Sequence, residues 1–439
     1  MSLSVAIVGA GPAGFYTAAA LLKEDEGHRI DILERLPTPY GLIRFGVAPD
    51  HQKTKRVVRQ FQRIALDERV SYFGNVTVGR DVQLEELRDL YDVVVLTVGA
   101  GNDRPLGVPG GDKGSVIGSA AFVGWYNAHP DWRALDPDLD VDAAVVIGNG
   151  NVAIDVARIL VKTAAETAES DLVDYAARAI NDSPIRDVYI VGRRGPVEAK
   201  FTNVELREMG ALKDAAVIVD EAQLPGDVGN LPEGRERRIK EKNLASLQAF
   251  AAIEGGGKTR RVHFVFYASP VEIKGGDRVE AVRFERTRVE DGRALGTGDF
   301  FEIPCGLVVA AVGYRSDPVP GAPFDAATAT VPNDDGRVVS GLYAAGWIRR
   351  GPSGVIGTNR PDAVAVAARV AEDFPNGGGK PGRAAFESLL KTRNVRVVSF
   401  DDWLALDEAE VAGAVSPAPR RKFVSVEAML AHLDKSAAS

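Results

Sequence analysis

Two short glycine patterns in this sequence have the residue types and spacing to grip a dinucleotide. The first is Val5-Ala-Ile-Val-Gly-Ala-Gly-Pro-Ala-Gly14, an apolar run into Gly9, Gly11 and Gly14 at G-x-G-x-x-G spacing. Gly9 permits a tight turn out of a strand. Gly11 lets a pyrophosphate approach the backbone, and Gly14 lets the next helix pack close to that strand. The helix start offers unpaired N–H groups to phosphate. Glu34, twenty positions past Gly14, ends Arg29-Ile-Asp-Ile-Leu33 and can accept hydrogen bonds from a ribose hydroxyl. The second pattern lies about 140 residues later, in Ala143-Ala-Val-Val-Ile-Gly-Asn-Gly-Asn-Val-Ala153. Gly148, Gly150 and Ala153 stand at G-x-G-x-x-A spacing, and alanine still lets a helix pack near its strand. Here no acid follows at the usual distance. The next strand, Asp187-Val-Tyr-Ile-Val-Gly192, runs instead into Arg193 and Arg194. A carboxylate repels a 2′-phosphate, whereas guanidinium groups bind one bidentately, so this site is expected to prefer NADP(H). A bare glycine turn, or two arginines exposed in a loop, is the plainer account of each pattern. Strand, helix, second strand and terminal charge, found twice, favour the dinucleotide reading.

These residues must be positioned by α/β units. The first reads as strand 5–8, helix 12–23 and strand 29–33. Loop 36–51 follows, with three prolines, two glycines and many apolar residues, and is expected to cover a flat ring. Residues 52–66 read as one amphipathic helix with Val57, Phe61 and Ile64 facing in. Lys53, Lys55, Arg56, Arg59 and Arg63 fall outside that stripe: a solvated face, or a docking face for an acidic partner. Strands are expected at 70–73, 76–78 and 92–101, the last buried and parallel by its run of β-branched residues. A Pro- and Gly-rich crossover at 105–111 opens a second domain. There, 233–252 reads as a helix carrying Arg235, Arg237, Arg238, Lys240 and Lys242, broken by Gly255–Gly257. Stretches 262–267, 270–273, 279–286 and 300–303 read as antiparallel strands, and 307–313 as a buried strand ending in glycine. The chain then returns to the first domain near 314–317. The domains expected are 1–104, 105–315 and 316–439, the first and third forming one discontinuous domain with a helical tail. The fold class is α/β with two Rossmann-like dinucleotide-binding domains.

Composition limits the chemistry. The chain has 439 residues, a net charge of −8 and a single cysteine, Cys305. The charge argues against generic nucleic-acid binding. One cysteine excludes an intramolecular disulfide, a C-x-x-C redox pair and a cysteine-ligated iron–sulfur cluster, and no histidine cluster suggests a metal. Electron chemistry must then reside in a bound organic cofactor. The first strand starts within about five residues of the N-terminus, and no run is long enough to span a bilayer, so a cytoplasmic protein is expected.

Both fingerprints, loop Pro39-Tyr-Gly-Leu-Ile-Arg-Phe-Gly-Val-Ala-Pro-Asp-His51, Arg193-Arg194 and Gly346-Trp-Ile-Arg-Arg-Gly-Pro-Ser-Gly354 occur together. In these the chain resembles the adrenodoxin-reductase-like NADPH–ferredoxin reductases, the actinobacterial ones especially. The resemblance covers nearly the whole length and is weakest in the last fifty residues. It implies FAD at Gly9, Gly11, Ala13, Gly14 and Glu34, touched also by Leu42, Val78, Trp347, Gly354, Val355 and Ile356. It implies NADPH at Asn149, Gly150, Asn151 and Val152, with Arg104, Arg193, Arg194 and Glu205 also contacting it and Gly354 near the nicotinamide. His51 and Glu208 match positions on the nicotinamide side, and the 235–242 patch resembles the family's basic site for acidic ferredoxins. Many flavoproteins with two such folds place an acid where Trp347 stands; this narrower family shares the tryptophan. The implied function passes electrons from NADPH through FAD to a ferredoxin. An FAD-dependent NADPH oxidase or monooxygenase shares both fingerprints. A bifurcating subunit would need clusters or a partner chain, and a disulfide reductase would need the missing C-x-x-C.

Overall fold

Strands Ser4–Val8 and Val93–Leu96 are apolar at nearly every position and almost wholly buried, a pattern that only a sheet covered on both faces can use. The computed structural model describes residues 2–253 and 257–437. It groups the chain into two units by contact: Met1–Asn102, Asn127–Arg133 and Tyr314–Ser439 form one, and Asp103–Tyr126 with Ala134–Gly313 the other.

The first unit holds a six-stranded sheet in the order Arg337–Val339, Leu342–Ala344, Val93–Leu96, Ser4–Val8, Arg29–Glu34, Val70–Gly74. All pairs are parallel except the edge pair Arg337–Val339 with Leu342–Ala344. Ser4–Val8 lies centrally, with Ile7 opposite Ile32 on one side and Val95 on the other. Sequence order runs outward from it in both directions, and such a switch point leaves a crevice at the strands' carboxyl ends. Helices Pro12–Glu24 and Asn359–Asp373 pack on one face, and Leu84–Leu90 and Arg383–Thr392 on the other. Phe15 stacks on Phe61 at 5.1 Å, and Tyr40 meets Trp403 edge-on at 5.8 Å.

The second unit repeats the plan. Its sheet runs Val116–Gly118, Leu307–Ala310, Ala143–Ile147, Asp187–Val191, Arg260–Val265, Ala215–Val219, all parallel. Ala143–Ile147 again sits at the switch point. Strands Ala268–Lys274, Ala281–Glu290 and Arg293–Pro304 form a separate antiparallel sheet.

Several sequence expectations change. Stretch 262–267 belongs to the parallel sheet, not the antiparallel one, because Arg260–Val265 fills the gap between Asp187–Val191 and Ala215–Val219. Residues 76–78 form no strand, only an isolated bridge from Val78 to Val82. The helix expected over 52–66 is two helices, Gln52–Lys55 and Val58–Ala65. At the break, Arg56 and Val57 bond three residues back, to Lys53 and Thr54. That turn buries Lys55, which the pattern had placed among the outward cations. Gly255 and Gly256, expected to end the 233–252 helix, lie outside the described residues.

The tail's place is set by charge as well as packing. Glu410 on helix Phe400–Ala412 is fully buried and accepts from Arg44 at 2.9 and 2.5 Å, from Arg420 at 3.2 Å and from the Phe423 N–H at 2.8 Å. Arg44 also lies over the Trp403 ring at 5.2 Å. Lys422 donates to the Arg44 and Asn127 carbonyls, both at 3.3 Å. Loop 36–51 is thus pinned to the tail. Burial alone would raise the Glu410 carboxyl, but Arg44 and then Arg420 outweigh it and hold the group below the usual carboxylate range. A depressed acid contributes its stabilisation in full above its unfolded value of about 4.3, and loses it as pH falls through the lower folded value. Glu410→Ala leaves Arg44 buried without its main counter-charge. It is expected to destabilise this unit by about 3–5 kcal/mol and to reduce the acid-side loss of stability. Urea unfolding followed by tryptophan fluorescence at several pH values checks this, and an unmoved midpoint at neutral pH contradicts it.

Candidate functional site

The first fingerprint is a turn closed on every side but one. The Gly9 N–H donates to the Leu33 carbonyl at 2.7 Å, and with φ +111° its missing side chain faces the Thr97 carbonyl, where a Cβ would stand 2.7 Å away. A Cβ on Gly14 would stand 2.1 Å from the Gly9 carbonyl. A Cβ on Gly11 would meet nothing within 4 Å, and its φ of −83° suits any residue. The fold therefore needs glycine at positions 9 and 14 but not at 11. The open side at Gly11, at the N-terminus of helix Pro12–Glu24, is the cradle a pyrophosphate would fill.

Glu34 supports this turn from the next strand. Its carboxylate accepts from the Ala10 N–H at 3.0 Å and the Leu36 N–H at 3.2 Å, while burial pushes its pKa up overall. A carboxylate has about four lone-pair sites, so capacity remains for a ribose hydroxyl. Tyr40 donates its N–H to the Ala10 carbonyl at 2.8 Å, and Gly41 approaches Gly11 so closely that a Cβ would lie 3.2 Å from its Cα. Leu42 follows directly, so the loop does fold back over the turn. Trp347 arrives from the other end of the chain. Gly346 takes φ +74° and sits against Ala13, where a Cβ would come within 2.6 Å of the alanine methyl. Val355 is exposed, Ile356 packs partly on the core, and Gly354 turns at φ +81°. Val78 lies half-buried beside the second face of the sheet, and His51 stands at the start of Gln52–Lys55.

Arg350 and Asp362 hold this last segment and were not singled out by the sequence. Arg350 donates to Asp362 at 2.8 Å, to the Ser353 carbonyl at 2.7 Å and to its hydroxyl at 2.9 Å, and to Asn359 at 3.2 Å. Asp362 also accepts from Arg349 at 2.8 Å and from the Gly346 N–H at 3.1 Å, and Trp347 Nε1 donates to the Ser353 carbonyl at 3.0 Å. Nothing local marks these arginines as paired, because their acid lies a dozen residues ahead.

In the second unit Gly148 repeats Gly9: its N–H donates to Val191 at 2.8 Å, and at φ +139° a Cβ would stand 2.3 Å from the Ala311 carbonyl. Gly150 repeats Gly11, with φ −105° and nothing within 4 Å of its Cβ position. Asn151 Oδ1 accepts from the Thr202 N–H at 2.7 Å and the Asn149 carbonyl from the Lys200 N–H at 3.0 Å. Val152 begins the helix half-buried. The arginine pair is fixed by its backbone: the Arg193 carbonyl accepts from the Thr287 hydroxyl at 2.8 Å, and the Arg194 carbonyl from the Tyr267 N–H at 3.2 Å. Their side chains stay outward. Arg193 is exposed, and Arg194 makes one long bond to the Gly292 carbonyl at 3.4 Å. Glu205 bonds the Thr202 hydroxyl, and Arg104 runs alongside Gly313. Glu208 instead faces Arg158, a fully buried arginine that it meets at 3.0 Å together with Asp155. Val98 and Val312, at the carboxyl ends of their sheets, are 40% and 39% exposed.

The remaining histidines are structural. His28 accepts from the Leu3 N–H at 3.2 Å, His129 from the Asp131 N–H at 3.2 Å, His263 lies 2.6 Å from Asp187, and His432 packs on Phe423. Cys305 is buried, which pushes its thiol up to about 12.

Residues 3–195 match the family model of the pyridine nucleotide-disulphide oxidoreductases. The chain is 43% identical to the mitochondrial NADPH:adrenodoxin oxidoreductase of Arabidopsis thaliana, over 98% of its own length and 95% of the relative's. It is 42% identical to the NADPH-ferredoxin reductase FprA of Mycobacterium tuberculosis, over 97% and 98%. The solved structure of M. tuberculosis FprA in complex with NADPH matches with a TM-score of 0.92 at 41% identity, covering 99% of this chain and 100% of that one.

The two kinds of glycine separate by substitution. Gly11→Ala is expected to leave the ligand-free protein within about 0.5 kcal/mol of the parent while sharply lowering bound dinucleotide. Gly14→Ala forces overpacking and is expected to cost about 1–3 kcal/mol. Thermal melts of stripped protein, with nucleotide released on denaturation measured in parallel, check both. A strongly destabilised Gly11→Ala would contradict the open cradle.

Proposed function

This chain belongs to the NADPH:adrenodoxin oxidoreductase and NADPH–ferredoxin reductase family, and from that premise we propose how its own residues serve electron transfer from NADPH through FAD to a ferredoxin. It is a flavoprotein oxidoreductase. When bound, FAD supplies the conversion of a two-electron hydride donor into single electrons for an iron–sulfur partner.

The protein's part is binding, orientation and exclusion of water. The turn Gly9–Gly14 and Glu34 hold the FAD pyrophosphate and ribose, Leu42 and the pinned loop cover it, and Trp347 with Val355 and Ile356 line its ring end. The turn 149–152 receives the NADPH pyrophosphate. Arg193 and Arg194, with Glu205, receive the adenosine phosphate end, and Arg104 also contacts the nucleotide. One observation carries this division: matching open turns followed by Glu34 in one unit and by outward Arg193 and Arg194 in the other. His51 and Gly354 serve the nicotinamide side. Glu208, as the counter-charge of buried Arg158, is better read as positioning its helix than as touching the reacting ring.

The ferredoxin is acidic in this reading, and docks on exposed cations. Arg235, Arg238 and Lys242 are exposed on helix Arg235–Ala251, as are Lys53, Arg56, Arg59 and Arg63 on the Gln52–Ala65 segment. Arg237 contributes less, since Glu241 engages it at 2.8 Å. A cytoplasmic location suits this role, and no helix among the described residues is long and apolar enough to cross a membrane.

Arg193→Ala with Arg194→Ala is expected to lower the preference for NADPH over NADH at least about tenfold, since charge-assisted hydrogen bonds are each worth roughly 1.5–3 kcal/mol. Steady-state kinetics with both nucleotides measure it, and unchanged selectivity overturns the assignment. Turnover with ferredoxin is expected to fall as salt rises, whereas turnover with a small neutral acceptor stays level. Equal salt dependence for both acceptors removes the basic docking face.

A further inference from the structure

One cation of helix Arg235–Ala251 turns inward. Lys240 is half-buried, and its ammonium donates to the Ala199 carbonyl at 2.5 Å. Its neighbours on the helix bond the same segment. Asn243, 1% exposed, donates to the Phe201 carbonyl at 3.1 Å, and Asn203 donates to the Lys242 carbonyl at 3.1 Å and to Ser246 at 3.2 Å. Segment 199–203 is also the one tied to the second fingerprint, through Lys200 to Asn149 at 3.0 Å and Thr202 to Asn151 at 2.7 Å. Hydrogen bonds therefore run without a gap from this helix to the turn around Gly150.

The charges around Lys240 are of both signs. Burial is the main influence lowering its pKa; Glu236 and Glu198 oppose that, while Arg194 and Lys200 add to it by repulsion. An ammonium has three donors, and the Ala199 carbonyl takes one. Glu236 and Glu198 act on Lys240 more strongly than Arg194 and Lys200 do, and a dianionic phosphate held at Arg194 would join them in favouring the charged ammonium.

We propose that Lys240 is a specificity-determining residue for NADPH: it holds segment 199–203 against the second fingerprint and adds a third cation, beside Arg194, at the adenosine phosphate. This rests on Arg193 and Arg194 receiving that phosphate.

The test uses the full-length holoenzyme and a small acceptor, comparing Lys240→Met, Lys240→Arg and the Arg193→Ala/Arg194→Ala pair with the parent. Lys240→Met is expected to lower the NADPH-to-NADH ratio of kcat/KM about tenfold, mainly through KM for NADPH, with Lys240→Arg retaining most of it. KM for ferredoxin is expected to move less than about twofold. An unchanged ratio in Lys240→Met overturns the proposal, as does an equal loss with both nucleotides or a rise in KM confined to ferredoxin. If the ratio holds in Lys240→Met but falls in the arginine pair, the phosphate site stands and only the role of Lys240 fails. If it holds in both, the phosphate site fails with it.

Discussion

Each unit of this protein depends on one turn that is crowded against backbone at its first glycine and open at its second. Side chains at Gly9, Gly14 or Gly148 would meet backbone at 2.1–2.7 Å, so these turns exist only without them. The emptiness at Gly11 and Gly150 has a different origin. Nothing in the fold forbids a side chain there, and the space lies at the end of a helix whose first N–H groups have no partner within the helix. Tightness brings strand and helix together; openness leaves the helix's positive end facing outward at a switch point of the sheet.

The rest of the first unit supports that opening. Loop 36–51 is anchored below by the Ala10–Tyr40 bond and behind by the buried Arg44–Glu410–Arg420 group. The segment after Trp347 buries Ile348 in the core and is tied further by Arg350 and Asp362. In the second unit the same work falls to segment 199–203 and the helix behind it. Backbone around both open turns is thus fixed by polar contacts to elements elsewhere in the sequence.

What the sequence revealed follows from this. Fingerprints are local, so Gly9–Gly14, Glu34, Gly148–Ala153 and Arg193-Arg194 were legible with the elements around them. The buried strands Val93–Leu96 and Leu307–Ala310, expected over 92–101 and 307–313, announced themselves by continuous apolar runs. Contacts set by tertiary partners did not. Stretch 262–267 carries no mark that tells a parallel from an antiparallel neighbour. Lys55 and Lys240 look like outward cations because helical spacing places them off the apolar stripe, yet each is drawn in, Lys240 by a carbonyl from another segment. Glu410 and Asp362 had no signal at all, since their partners lie at positions 44 and 349–350. Strand Ala215–Val219 has an apolar run as clear as that of Asp187–Val191, but the sequence expectation does not include it.

Whether the first opening holds FAD and the second receives NADPH in preference to NADH can be read in one experiment. An anaerobic titration of the purified protein, followed by its visible spectrum, tests both halves at once. Flavin bands present before any addition, bleached by stoichiometric NADPH and far less by the same amount of NADH, are the predicted result. A protein without flavin bands, or one whose bands respond alike to the two nucleotides, would contradict it.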